Sequence, residues 1–275
     1  MLRSLYSGVS GMRGFQTKLD VIGNNIANVN TAGFKAGRVM FKDILSQTTA
    51  GMTAPNGNET GGVNAKQIGL GVTIGAIDTI HTPGSAMTTN VPTDLRIDGD
   101  GFFAVKMNAG QGQEEAFLTR DGGFKVDASG NLVNGDGLLV TQPGGDIITI
   151  DFTTVVEFSI GQDGTIIKKL NDGTIDDTMR IGIVKVANPG GLEKIGGNLY
   201  RMTPNANPDG VLEIIEANDP DLGTGAIISG QIEMSNVDLT SEFTEMIVSQ
   251  RGFQANSRII TTSDEILQEV VNLKR

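Results

Sequence analysis

The chain has 275 residues, a formal net charge of −11, one histidine and no cysteine. The absence of cysteine excludes disulfides and thiol chemistry and makes the chain indifferent to redox compartment. One histidine without cysteine excludes a zinc site of the usual composition, and the acidic field opposes nucleic-acid binding, with no Lys/Arg cluster to overrule it.

Glycine, at 38 copies against 5% aromatic and 19% charged residues, predicts many tight turns and short strands. The N-terminus carries positive charge but no apolar run of signal-peptide length, and no segment approaches a membrane span. The expectation is a chain that either stays in the cytoplasm or leaves by a route without a cleaved signal.

The spacing predicts a long helix over 1–33. Leu5, Met12, Leu19 and Ile26 recur every seven residues, as do Gly8, Phe15, Ile22 and Val29 three residues later, which is a coiled-coil seam. Near its end Asn24, Asn25, Asn28 and Asn30 crowd together, although asparagine is a mediocre helix former. Asn24, Asn25 and Asn28 are expected to face away from the seam as subunit contacts. Gly33 supplies a helix stop and, with Phe34, a hinge. Residues 34–70 read as an extended linker whose polar, Gly-rich part, 46–66, is the expected seat of flexibility.

Over 71–234 the period changes. Leu95 and Ile97, the Asp98-Gly99-Asp100-Gly101 turn, and then Phe103, Val105 and Met107 set a plan of alternating runs and Gly-rich turns that recurs and predicts a mainly antiparallel, all-β domain of hairpins. Residues 203–224, rich in Pro, Asn and Asp, read as a surface excursion. A second long helix is predicted over 235–275, opened by Ser235 and Asp238 with Glu242 in its first turns and closed by Lys274-Arg275. Leu239, Met246, Phe253, Ile260 and Leu267 fall every seven residues; the companion series Phe243, Gln250, Ser257, Asp264 and Val271 is apolar only at its ends. The fold class is therefore α+β: two terminal helices, paired as a coiled coil, flank a β domain. Leu2, Val9, Val21, Ile247, Ile259, Ile266 and Val270 lie off the seams, to be covered by the β domain or by other copies of the chain. Gln250 and Asn256 are further candidate subunit contacts.

The chemistry is sparse. His81 reads as a packing or surface residue. Gly99 to Ala104 matches a dinucleotide fingerprint by letter, but a strand follows the glycines where that motif needs a helix. Asp98, Asp100 and Asp127 lack the ligand series of a calcium loop. No catalytic residue, metal ligand or cofactor site emerges. A β-rich carbohydrate-binding module is the competing reading, weakened by two Tyr and no Trp.

LDVIGNNIANVNTAGFK (19–35) with RVMFKDILSQT (38–48), SNVDLTSEFTEMIVSQRGFQANSRIITTSDEILQEVVNLKR (235–275), and the internal stretches DLRIDGDGFFAV, FLTRDGGFKVDASGNLV and GLEKIGGNLY resemble the bacterial flagellar axial proteins: rod, hook and hook-associated subunits. The resemblance covers nearly the whole chain outside 46–66 and 203–224. It implies a structural, non-enzymatic subunit whose terminal helices form a coaxial coiled coil around a narrow channel. It further implies passage through the flagellar type III export apparatus without a cleaved signal, and polymerisation with itself. The start MLRSLYSG and the length are similar to distal-rod subunits, while EFTEMIVSQRGFQANS and DEILQEVVNLKR are similar to hook subunits. The combination most resembles the short hook proteins of Gram-positive bacteria, with the distal rod as the alternative. Implied partners are the distal rod protein, the hook cap and the hook–filament junction proteins, with no nucleic acid and no membrane insertion.

Overall fold

The structure, a computed structural model, describes residues 2–55, 61–208, 211–220 and 222–273. It is α+β, with a long helix near each end and antiparallel strands between. The chain divides into two compact units: Met1–Ala27, Gly37–Thr79 and Asp238–Arg275 form the first, and Asn28–Ala36 with Ile80–Val237 the second.

In the first unit, α1 (Leu2–Ala27) is followed by four strands: β1 (Gly37–Asp43), β2 (Ser46–Ala50), β3 (Lys66–Gly69) and β4 (Val72–Thr79). α2 (Leu239–Leu273) completes it. Residues 34–70 are thus not an extended linker. β1 pairs antiparallel with β4 from Gly37↔Thr79 to Asp43↔Val72, and β2 pairs with β3 as an outer hairpin. Part of the 46–66 stretch, 56–60, lies outside the described residues. The reason is legible afterwards: Val39, Phe41, Ile74 and Ile77 are β-forming side chains, and the polar residues Ser46–Ala50 continue the pairing with Lys66–Gly69. α2 begins at Leu239, four residues later than the predicted 235, and of the two predicted opening residues Asp238 is the cap. The Asp238 carboxylate accepts the Thr240 N–H at 2.9 Å, and Glu242 N–H bonds to the Asp238 carbonyl. Ser235 instead accepts from the Val237 N–H, and the basic pair Lys274-Arg275 lies outside the described residues.

The second unit is built around a strand buried on both faces, β7 (Phe102–Lys106), preceded by β5 (Ala86–Thr88) and β6 (Leu95–Asp98). Phe103 and Val105 enter one core with Leu95, Ile97, Phe124 and Leu132; Phe102 and Ala104 enter another with Leu118, Val184, Tyr200 and Ile214. A strand covered on both sides reads as a continuous apolar run rather than an alternating one, so alternation found two of its five buried residues, and Met107 is exposed. A three-stranded sheet (Val155–Ile160, Thr165–Leu170, Ile175–Arg180) lays Phe158, Ile166 and Met179 onto the first core. The 203–224 stretch is not a surface excursion throughout. Ala206, Leu212, Ile214 and Ala217 are buried, and Ile215 bridges to Ile183.

α1 ends at Ala27, six residues short of Gly33. The Thr31 N–H bonds to the Asn28 carbonyl and the Thr31 hydroxyl to the Asn28 side chain, so a turn replaces the last predicted helical turn. Residues 28–36 then thread into the second unit. Gly33 has φ of +69°, its N–H donates to the Glu233 carbonyl at 2.8 Å, and a Cβ there would lie 2.6 Å from the Asp121 backbone nitrogen. Phe34 is buried under the Lys194 ammonium. The two hinge candidates are therefore packed into the unit rather than poised as a free joint.

Lys35 is 1% exposed, and its Nζ sits 2.5 Å from Glu233 Oε1 and donates to the Thr82 carbonyl at 2.8 Å. The other oxygen of Glu233 accepts from Arg120 at 3.1 Å, and Oε1 also accepts the Gly84 N–H at 2.9 Å. Burial pushes the Lys35 ammonium down, against the raising pull of Glu233. A single carboxylate compensates two buried cations, so Glu233→Gln leaves both unpaired and is expected to cost about 3–5 kcal/mol, read by urea unfolding; a loss within about 1 kcal/mol would mean the cluster is wet.

His81 packs its ring on Phe102 and Tyr200 at 5.8 and 5.6 Å. Burial first, then Lys35, Lys194 and Arg120, push its imidazole down to about 4. The unfolded chain takes up this proton near pH 6.5 and the folded one only near 4, so the contribution to stability is complete above about 6.5 and falls away as pH drops toward 4. Between pH 7 and 4.5 the wild type is expected to lose about 1 kcal/mol more than His81→Phe, once screening of this half-buried ring is allowed for. Parallel melting curves at the two pH values check this, and equal losses contradict it.

Candidate assembly surface

The first unit carries the candidate site, because it holds both long amphipathic helices. Their contacts run in opposite directions along the two helices. A Cβ at Gly8 would lie 3.4 Å from Ile260, and one at Gly11 would lie 2.7 Å from the Asn256 amide. One at Gly252 would lie 2.6 Å from the Phe15 ring. Further along, Lys18 Nζ pairs with Glu245 at 2.6 Å, and the Asn25 amide donates to Glu242 at 3.1 Å. Glycine at these positions leaves room for the Ile260, Asn256 and Phe15 side chains of the facing helix.

On α1 the predicted seam lies inward: Gly8 and Ile22 are buried, and Leu5, Met12, Phe15, Leu19 and Ile26 are half-buried. Val29 lies beyond the end of the helix. On α2 one of the two series is displaced. Met246, Ile260 and Leu267 are half-buried, whereas Leu239 and Phe253 are exposed. The companion series is not Phe243, Gln250, Ser257, Asp264 and Val271. Phe243 is 50% and Val271 64% exposed, Gln250 and Asp264 are exposed, and Ser257 is half-buried. The inward positions are one residue earlier: Glu242, Ser249, Asn256 and Ser263, again seven apart, with Ser249 and Ser263 buried. Because these residues are short or polar, an apolar-periodicity search passes over them; the signal that finds them is the run of small residues opposite the α1 glycines. The Ser249 hydroxyl finds no partner among the described residues. Burial pushes the Glu242 carboxyl up, opposed by the Asn25 amide.

The asparagines divide. Asn25 does not face outward: it is 1% exposed, its side-chain oxygen accepts the Gly37 N–H at 3.0 Å, and its amide donates to the Gly37 carbonyl at 2.9 Å. It thus satisfies both backbone groups at the start of β1, a role an apolar residue cannot fill. Asn256 lies against α1. Asn24 and Gln250 are exposed, and Asn28 forms the turn after α1.

The other side of α1 packs on the hairpin. Phe41 covers Gly14 and stacks on Phe15 at 5.9 Å between centroids, and Val21 meets Gly37. What neither α1 nor the hairpin covers is extensive: Ile247, Val248, Ile259, Ile266, Val270 and Val271 are all exposed on α2, with Tyr6 and Val9 on α1. Exposed apolar side chains in this number make these helices the candidate interaction surface. Among the described residues no cluster of His, Cys, Asp and Glu is placed to hold a metal, and no helix is long and apolar enough to cross a membrane.

Three family profiles match, described as flagella basal body rod protein over residues 5–35, flagellar hook protein FlgE/F/G D1 domain over 96–168, and flagellar basal body rod FlgEFG protein C-terminal over 228–273. The flagellar basal-body rod protein FlgG of Bacillus subtilis is 56% identical over 276 residues, covering all of both chains. FlgG of Borreliella burgdorferi is 34% identical over 278 residues, and the flagellar hook protein FlgE of the same organism 29% over 452, each also covering all of both chains. A crystal structure of the Helicobacter pylori hook protein FlgE2 overlaps 44% of this chain and 29% of its own at 18% identity and a TM-score of 0.22. These relatives are structural proteins of the flagellum and not enzymes. The chain belongs to the flagellar rod and hook protein family.

Proposed function

We propose that the chain is a structural subunit of the flagellar axis, of the distal-rod type, that polymerises with itself through its two long helices. The observation that carries this reading is the uncovered apolar surface of α2, whose half-exposed aliphatic side chains each gain on the order of 1 kcal/mol when a neighbour completes their burial. The helices act as one coiled-coil assembly domain, in which the glycine contacts of α1 and the short polar series of α2 set register at some cost in stability. Export through the flagellar type III apparatus without a cleaved signal, and contact with the neighbouring rod and hook components, follow from the same reading.

Rod rather than hook is favoured by the relatives. FlgG sequences align over nearly the length of this chain and reach 56% identity, whereas the spirochaete hook proteins need 452 and 474 aligned residues at 29% and 28%. The hook reading rests on the α2 sequence and separates from the rod reading by shape. Negative-stain microscopy of concentrated protein is expected to give straight tubes. Curved tubes would favour the hook, and discrete particles would overturn self-assembly.

Two variants test the mechanism. Gly11→Val drives a branched side chain into Asn256 and is expected to destabilise the first unit by about 1–3 kcal/mol, read as an early loss of helical circular dichroism on heating. An unchanged helix signal would mean that the helices do not pair closely. Deleting 46–66, which removes the outer hairpin and none of the helix contacts, is expected to leave the monomer melting curve in place while altering tube geometry. Tubes identical to wild type would remove that hairpin from the assembly.

A further inference from the structure

The exposed apolar residues of α2 are ordered. Val248, Ile259, Ile266, Val270 and Leu273 form a stripe about 100° around the helix from the face that meets α1. Its flank changes sign along its length: Arg251 borders the N-terminal half and Glu269 the C-terminal half. Neither charge is ion-paired among the described residues.

The same unit carries a second, different uncovered feature. Between α1 and the β-hairpin runs an open groove of about 400 Å³. Tyr6, Val9, Arg13 and Thr17, successive positions on one face of α1, form one wall; Ile44 and Ile74 belong to the other. Its single charged lining residue is Arg13, which is exposed and makes no ion pair among the described residues.

We propose that this groove receives the C-terminal half of the α2 stripe from a second copy of the chain, with Ile266 and Val270 entering it and Glu269 of that copy pairing with Arg13. The inference rests on the self-assembly proposed above and specifies its contact. Charge selects the occupant: a groove whose one charge is positive rejects the Arg251 end of the stripe and accepts the Glu269 end. Groove and stripe are different surfaces of one molecule, so the contact is heterologous, and each added copy presents a fresh groove and a fresh stripe. Stripe pairing with stripe would instead close a dimer and end growth.

The natural absence of cysteine makes the test clean. Val9→Cys and Val270→Cys variants, mixed in equal amounts, assembled and then oxidised, are expected to give a mixed Val9→Cys/Val270→Cys disulfide dimer, with little product when Val270→Cys is mixed with an Ile175→Cys control. Tubes without the mixed product, or only Val270→Cys homodimers, overturn the groove contact while leaving self-assembly standing. Failure of the wild type to assemble overturns both. Independently, Arg13→Glu is expected to raise the critical concentration for assembly about fivefold, with recovery on adding Glu269→Arg and with the monomer helix signal unchanged. Wild-type assembly of Arg13→Glu, or no recovery in the double variant, removes the ion pair and with it the basis for choosing this end of α2.

Discussion

One carboxylate organises both passages of the chain through the second unit. Glu233 lies five residues before the Asp238 cap of α2, and Lys35 lies eight residues past the end of α1. Their ion pair, closed by Arg120, joins residues 198 apart in sequence. The backbone repeats the tie, since the Gly33 N–H bonds to the Glu233 carbonyl and the Asn236 side chain accepts the Ala36 N–H while donating to the Ile80 carbonyl. Buried ion pairs rarely add much to stability over apolar packing of equal volume, but removing one partner is heavily penalised. Such a cluster therefore fixes where the outgoing and returning chains cross, which is a matter of specificity more than of strength.

The same principle, polar groups placed where only one register satisfies them, recurs in the helical unit. Asn25 meets the N–H and C=O of Gly37 together, and shifting α1 by one residue would strand both. Ser249, Asn256 and Ser263 line the contact with α1 in place of leucines, beside Gly8 and Gly11. A pair built from apolar residues alone tolerates sliding; this one trades strength for a single alignment. Meanwhile Val248, Ile259, Ile266 and Val270 of α2 stay exposed.

This distribution also explains which parts of the fold were legible in the amino-acid sequence. The α+β class, the start of α2 at the Asp238 cap and the Gly-punctuated strands follow from local rules that act over a few residues. The family resemblance lay in the terminal segments and in motifs such as DLRIDGDGFFAV. The companion series of α2 was misread because the inward positions one residue earlier, Glu242, Ser249, Asn256 and Ser263, are short or polar and leave no apolar signal. The hairpin of β1 and β4 was read as a linker because its strands are separated by a polar stretch, and the pairing that defines them is non-local. Lys35, Arg120 and Glu233 gave no sign at all: an isolated charged residue reads as surface until its partners, drawn from three distant segments, are brought together.

α1 holds four glycines in 26 residues, at positions 8, 11, 14 and 23. Each costs about 1 kcal/mol of helix propensity relative to alanine, and three of them face α2 or Phe41. Taken out of its packing, this segment is a poor helix. Its order is lent by its neighbours, so each glycine that makes room for α2 or Phe41 also ties the stability of α1 to those contacts.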